Sequence, residues 1–373
     1  MKIGSPKESK AQEFRIGLTP KSVASLIRDG HEVWIEKDAG LGIGANDSAY
    51  TDLGAHIAQD ISELFERSDL IIKVKEPNRA ERALLKPRHT LFTYLHLASD
   101  PEQTQDLIAS GATCIAYETV TDADGRLPLL TPMSEIAGRL AVQEAASHLG
   151  KHRGGMGILL GGATGVEPGH VVIIGGGVVG SNACRIALGL GAKVTILDRS
   201  ETQLDRLRAK FPDTVNCVLA TPESIQTYVT IADLLVGAVL IPGGKASKLI
   251  TAAMVKTMKP GAVIADVAID QGGCCETSRP TTHTTPTYVV DGITHYCVTN
   301  IPGAVAKTAS MALNIATLRF ILALANRGTR AALEADAHLR NGLNVCRGQV
   351  TSKEVAQDLG LPYTDPMAVI ASL

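Results

Sequence analysis

Short apolar runs recur along the first third of the chain, HEVWIE, DLIIKVKE, TLFTYLHL and TCIAYETV in turn. Between them lie segments such as TPKSVASLIRDG and DPEQTQDLIASG, whose apolar residues return at spacings of three and four. Strand-length runs alternating with helix-period segments predict βα units on a parallel sheet. The helix boundaries are marked. Thr19 with Pro20 forms a start and Gly30 a stop, and Asp100 with Pro101 repeats the arrangement through Gly111.

A second α/β series opens at HVVIIGGGVVG and continues through AKVTILD, ADLLVGAVL, AVIADVAID and HYCVTN. Between the series, TPMSEIAGRLAVQEAASHLG reads as a connecting helix opening at Thr131 and Pro132, and KHRGGMGILLGGATGVEPG as a glycine-rich loop. From Pro302 onward AVAKTASMALNIATLRFILALANRG is helical again, and a helix this apolar needs cover. The pattern predicts two Rossmann-like, doubly wound α/β domains with mainly parallel sheets and a cleft between them. One domain is expected from residues 1–130 plus 303–373 and the other, the second series, from residues 131–302. No internal repeat is evident.

With 373 residues the chain can build two cores, and at 45% hydrophobic but 3% aromatic those cores are aliphatic. Lys plus Arg at 36 against Asp plus Glu at 38 gives a net charge of -2, which advertises neither nucleic acid nor an anionic membrane surface. A small-molecule partner is expected. The start, MKIGSPKESK, lacks an apolar signal core, and no uninterrupted apolar run of membrane-spanning length occurs, so a cytoplasmic location is expected. Of seven cysteines, Cys114, Cys184, Cys217 and Cys297 sit in apolar runs and read as small buried residues. Adjacent Cys274 and Cys275 suggest a redox pair, a metal site or simple packing; without a second Cys or His cluster nearby, packing is expected and no metal site is assigned.

Gly175, Gly177 and Gly180 stand in G-x-G-x-x-G register after the strand VVII and before the helical SNACRIALGLGA. Glycine permits the tight turn, close approach of a pyrophosphate to the backbone, and close packing of helix on strand. The next strand ends at Asp198, eighteen residues after Gly180, where a carboxylate can bind an adenosine ribose. A 2′-phosphate would meet that negative charge, which favours NAD over NADP, while adjacent Arg199 pulls the other way.

Ligands of open parallel sheets bind beyond the carboxyl ends of the strands. There the chain offers Lys75 after DLIIKV, His96 after LFTYL, Asp270 after AVIADVAI, and Arg15 before the first helix. Arginine clamps a carboxylate, lysine polarises a carbonyl oxygen, and histidine moves protons near neutral pH. Each has a plainer reading: His96 as a core histidine, Arg15 and Lys75 as solvated charges, Asp270 as a cap of the Gly272 turn, with Lys73 a basic residue of no obvious purpose. Together they form most of an apparatus for hydride exchange with a 2-oxo or 2-amino acid.

Over nearly its whole length the chain resembles the alanine dehydrogenase/transhydrogenase N-terminal family. The resemblance rests on PKE, EFRIGLTP, KVKEP, TYLHLASD, AYETV, LPLLTPMSEIAGR, GGGVVG, GAVLIPG, DVAIDQGGC, ETSRPTTH and HYCVTNIPGAV. It implies reversible NAD-dependent oxidative deamination of L-alanine to pyruvate and ammonium, and a homo-oligomer, a hexamer. Arg15 would hold the substrate carboxylate, Lys75 the carbonyl oxygen, and His96 and Asp270 would be the catalytic pair. To the cofactor contacts it adds Ser134, Val178, Val239, Leu240, Val267, Arg279, Val298 and Ile301. Ala220, Gln203 and Cys275 depart from the family pattern, which bears on cofactor affinity. Alternatives are the NAD-binding component of a transhydrogenase, a saccharopine-type amine dehydrogenase, and an NAD sensor without turnover.

Overall fold

The computed structural model describes residues 1–239 and 247–373. They form two compact units, Met1–Met133 with Val305–Leu373, and Ser134–Ala304. In the first unit come strands β1 (Lys2–Ser5), β2 (Glu32–Glu36), β3 (His56–Ala58), β4 (Leu70–Ile72), β5 (Thr90–Thr93) and β6 (Thr113–Ala116). The second unit holds β7 (His170–Ile174), β8 (Lys193–Asp198), β9 (Asn216–Leu219), β10 (Leu234–Gly237), β11 (Val263–Asp266), β12 (Thr287–Val290) and β13 (Ile293–Tyr296). The chain then returns to the first unit for β14 (Leu343–Cys346) and β15 (Gln349–Val350).

The first sheet runs β15-β14-β6-β5-β4-β1-β2-β3 and the second β12-β13-β11-β10-β7-β8-β9. Both are parallel except at one edge, where β14 pairs antiparallel with β6 and β15, and β12 with β13. Counted within each unit, the six parallel strands follow the order 3-2-1-4-5-6, so each sheet is doubly wound with a switch point, between β1 and β4 and between β7 and β10. Strands covered on both faces are apolar throughout: Leu70, Ile71 and Ile72 of β4 and Val171, Val172 and Ile173 of β7 are wholly buried.

Helix α1 (Pro20–Arg28) starts after Thr19 as expected, but the Thr19 side chain does not cap it. Its hydroxyl lies 3.4 Å from Ser22 Oγ instead. Helix α2 (Pro101–Ser110) keeps its markers, with the Asp100 carboxylate accepting from the Gln103 amide and Gly111 left-handed at the end. Helix α3 (Thr131–Ser147) links the units in sequence, α4 (Val178–Gly189) follows the glycine turn, and α5 (Ala306–Arg327) belongs to the first unit.

The stretch Ile301–Arg327 is, among the described residues, the one helix long and apolar enough to cross a membrane, but half of its most apolar window is buried in the fold. Its polar residues bind the connection between β1 and α1. Ser310 Oγ accepts from the Ile16 amide at 3.0 Å, and Asn314 Oδ1 accepts from the Thr19 amide and the Ser22 hydroxyl at 2.7 Å each. Such hydrogen bonding marks a core helix of the first unit.

Candidate active site

Arg15, Lys75 and His96 follow the carboxyl ends of β1, β4 and β5, which are neighbours in the first sheet. Arg15, 3% exposed, is gripped by Glu13: Nε donates to Oε1 at 2.7 Å and Nη2 to Oε2 at 2.5 Å. Its Nη1 lies 3.1 Å from Met133 Sδ. Burial works against the guanidinium charge, but the Glu13 carboxylate outweighs it and holds the Arg15 pKa above its ordinary value.

Lys75 stands three residues beyond β4 and is half-buried. Its amide and that of Val74 donate to Glu8 Oε1, at 3.3 and 2.6 Å. Lys73, which looked purposeless in the sequence, is wholly buried between Glu8 Oε2 and Glu81 Oε1, each 3.2 Å from its ammonium. Burial raises the Glu8 pKa, with the Lys73 charge opposing; Lys73 is itself raised because the two carboxylates outweigh its desolvation. An ammonium between two acids fixes the backbone that carries Lys75.

His96 does not sit inside the strand, as the run LFTYLHL suggests. β5 ends at Thr93, and His96 lies beyond it in the left-handed region, φ 51° and ψ 43°, with about half of its side chain exposed. That conformation costs a non-glycine residue about 1–2 kcal/mol. It is held by Glu118, in the turn after β6, whose Oε1 accepts from the His96 amide at 2.6 Å and lies 3.8 Å from Nδ1. The Tyr94 ring is parallel to the imidazole, 6.0 Å away. Burial raises the Tyr94 phenol pKa, with the Arg15 charge opposing, and the phenol donates to the Leu129 carbonyl at 2.6 Å.

The second unit carries the glycine turn at the β7 edge. Gly175 is at φ 100°, where a Cβ would lie 2.5 Å from the Ala238 carbonyl oxygen. A Cβ at Gly180 would lie 1.8 Å from the Gly175 carbonyl oxygen, whereas at Gly177 it would meet no described residue beyond its chain neighbours within 4 Å. The three glycines thus make a tight turn, an open cradle and a close helix contact, as a bound pyrophosphate requires. Asp198 closes the cradle: its Oδ2 accepts from the Gly176 amide at 2.7 Å and its Oδ1 from the Ser200 amide at 2.9 Å. Gln203 also serves the turn, donating to the Gly176 carbonyl at 2.7 Å.

Asp270, exposed, lies in the short 3-10 helix Val267–Gln271 directly after β11, ended by left-handed Gly272. Beneath it Asp266, 1% exposed, accepts from the amides of Cys274 and Cys275 at 3.3 and 3.1 Å, so a buried carboxylate shapes the loop. Val178 is exposed; Ser134, Val239 and Val267 are half-buried. Val298 and Ile301 are buried. The Arg279 guanidinium stacks on the Tyr288 ring at 4.1 Å. Leu240 lies outside the described residues. The seven cysteines are free thiols, with Cys217 half-buried rather than buried, and among the described residues no cluster of His, Cys, Asp or Glu is arranged for a metal ion.

Sequence reasoning named Arg15, Lys75, His96 and Asp270 and missed the acids set around them: Glu8, Glu13, Glu81 and Glu118 in the first unit, and Asp266, which holds the Cys274 and Cys275 amides, in the second. For four of them the available signal was the acidic residue in PKE, EFR, AYETV and IAD, at or near a strand end; Glu81, in NRAER, carried only the mark of a helix start.

Fold and edge residues together define a two-unit, doubly wound α/β protein with a glycine-turn fingerprint. The family models "Alanine dehydrogenase/PNT, N-terminal domain" and "C-terminal domain" match residues 4–137 and 141–353. An alanine dehydrogenase of Halomonas elongata is 51% identical over 99% of this chain and 100% of its own length. A solved L-alanine dehydrogenase superposes with a TM-score of 0.93 at 49% identity, covering 96% of this chain and 99% of that one. A transhydrogenase structure from Sinorhizobium meliloti shares the fold, with a TM-score of 0.81 at 23% identity over 95% of this chain and 99% of its own. The chain belongs to the alanine dehydrogenase/PNT family.

Proposed function

We propose that the protein is an NAD-dependent L-alanine dehydrogenase, interconverting L-alanine, NAD⁺ and water with pyruvate, ammonium, NADH and a proton. The observation that supports this best is the set Arg15, Lys75 and His96 beyond adjoining strand ends in a chain of this family. Residues 1–130 with 303–373 serve as the substrate domain and 131–302 as the cofactor domain. A cytoplasmic homo-hexamer is part of the same reading.

The open cradle at Gly177 and the carboxylate of Asp198 fit a dinucleotide, with Gly175 and Gly180 shaping the turn. Ser134, Val178, Val239, Leu240, Val267, Arg279, Val298 and Ile301 complete the contacts. Asp198 opposes a 2′-phosphate, which supports NAD. The nicotinamide, when bound, takes up or returns the hydride.

The protein's own residues handle charge and protons. Arg15 and Lys75 hold the substrate carboxylate and oxygen; because Glu13 neutralises Arg15, Lys75 supplies the net positive charge. Once the substrate carbon is at the imine level, His96 takes a proton from the attacking water, returns it to the departing nitrogen of the carbinolamine, and takes the hydroxyl proton as the carbonyl forms and ammonia leaves. General acid–base help of this kind is worth about 10² to 10⁴ in rate. Asp270, negative, favours the cationic imine and orients water or ammonia. NADH production from NAD⁺ and L-alanine, compared with NADP⁺ and with other small amino acids, tests the reading. Oxidation of another amino acid in preference to alanine would refute it.

A further inference from the structure

Glu118 has no part in the roles above, yet its carboxylate accepts from two successive amides of the His96 turn. It lies in the turn directly after β6, with β6 hydrogen-bonded to β5, and is 14% exposed. Oε1 accepts from the His96 amide at 2.6 Å and the Leu95 amide at 3.1 Å, while Oε2 lies 3.2 Å from the Leu95 amide. Two successive N–H groups converge on one acid because the chain turns left-handed at His96. The same Oε1 stands 3.8 Å from His96 Nδ1. Nε2 makes no hydrogen bond to a described residue.

We propose that Glu118 is a positioning residue for His96. Its carboxylate fixes the turn through the two amides. It also favours the tautomer with the proton on Nδ1, leaving Nε2 as the atom that accepts and returns protons. A base oriented by a third group is a general catalytic arrangement. The inference rests on the reading of His96 as a general acid and base.

The test uses the purified full-length chain with NAD⁺ and L-alanine, as wild type, Glu118→Gln, Glu118→Ala, His96→Ala and the double variant Glu118→Ala/His96→Ala. Glutamine keeps an oxygen for both amides and removes the charge. The expected result is a kcat lowered by about 10²-fold in Glu118→Ala, with KM for L-alanine within about threefold of wild type. Glu118→Gln recovers the wild-type melting temperature but not its kcat. In the His96→Ala background the second substitution lowers kcat by no more than about twofold, since both residues act through one group.

Wild-type kcat in Glu118→Gln overturns the proposal, as does an equal loss in both backgrounds or a loss confined to KM. If Glu118→Ala does not fold, Glu118→Gln decides alone. A wild type inactive on L-alanine, or His96→Ala as active as wild type, refutes the underlying reading and the proposal with it; an active wild type with a crippled His96→Ala leaves any failure to Glu118.

Discussion

Glu13 and Arg15 form a buried two-point ion pair, their side chains 0% and 2% exposed, with the guanidinium fork matched to both carboxylate oxygens. The pair sets Arg15 in one orientation beyond β1. Removing one partner of such a pair breaks a two-point ion pair in the interior, which costs about 3–5 kcal/mol, while replacing both with apolar residues of like size is far cheaper. Glu13→Gln is therefore expected to lose stability on that scale in urea unfolding, and Glu13→Gln/Arg15→Met to regain part of it. Equal losses in the two variants would contradict the pairing.

The glycine turn separates folding from cofactor binding. Apart from its chain neighbours, no atom of a described residue lies within 4 Å of a Cβ at Gly177, but one at Gly180 would overlap the Gly175 carbonyl. Gly177→Ala is expected to melt within about 2 °C of wild type while NADH affinity, read by fluorescence titration, drops at least tenfold. Gly180→Ala is expected to lose melting temperature as well. Unchanged NADH affinity in Gly177→Ala would remove the cradle from the account.

His89 gives a pH signature. It is 1% exposed; Nδ1 accepts from the Lys86 amide at 2.9 Å and Nε2 donates to the Phe65 carbonyl at 3.0 Å, so the neutral ring is the form that fits. Burial, with the Arg88 charge assisting, pulls its pKa from 6.5 to about 4. Between those values the unfolded chain binds the extra proton, so stability is full above pH 6.5 and falls as the pH drops towards 4, by up to about 3 kcal/mol. Chemical denaturation across that window should show a steeper loss for wild type than for His89→Gln. Parallel curves would contradict the assignment.

What could be read from sequence was local. The βα rhythm, the glycine turn with Asp198, and the Asp100 and Gly111 helix ends follow from residues near one another in the chain, and each was found in place. The doubly wound plan of both sheets was legible from the βα rhythm; the antiparallel edges, β14 and β15 on one sheet and β12 on the other, were not, because such pairing depends on contacts between distant segments. The acids were hidden for the same reason. Glu8 reaches Lys73 across 65 positions and Glu118 reaches His96 across 22, and such pairs leave no periodic mark. Thr19 failed as a cap because its local environment is set by Asn314 of α5, 295 positions away.

The most direct measurement is NADH formation by the purified protein from NAD⁺ and L-alanine, wild type beside His96→Ala and Lys75→Ala. The account predicts alanine-dependent turnover with NAD⁺ well above that with NADP⁺, reduced by about 10² or more in each variant. No alanine-dependent NADH from a wild type that binds NADH, or undiminished turnover in His96→Ala, would contradict it.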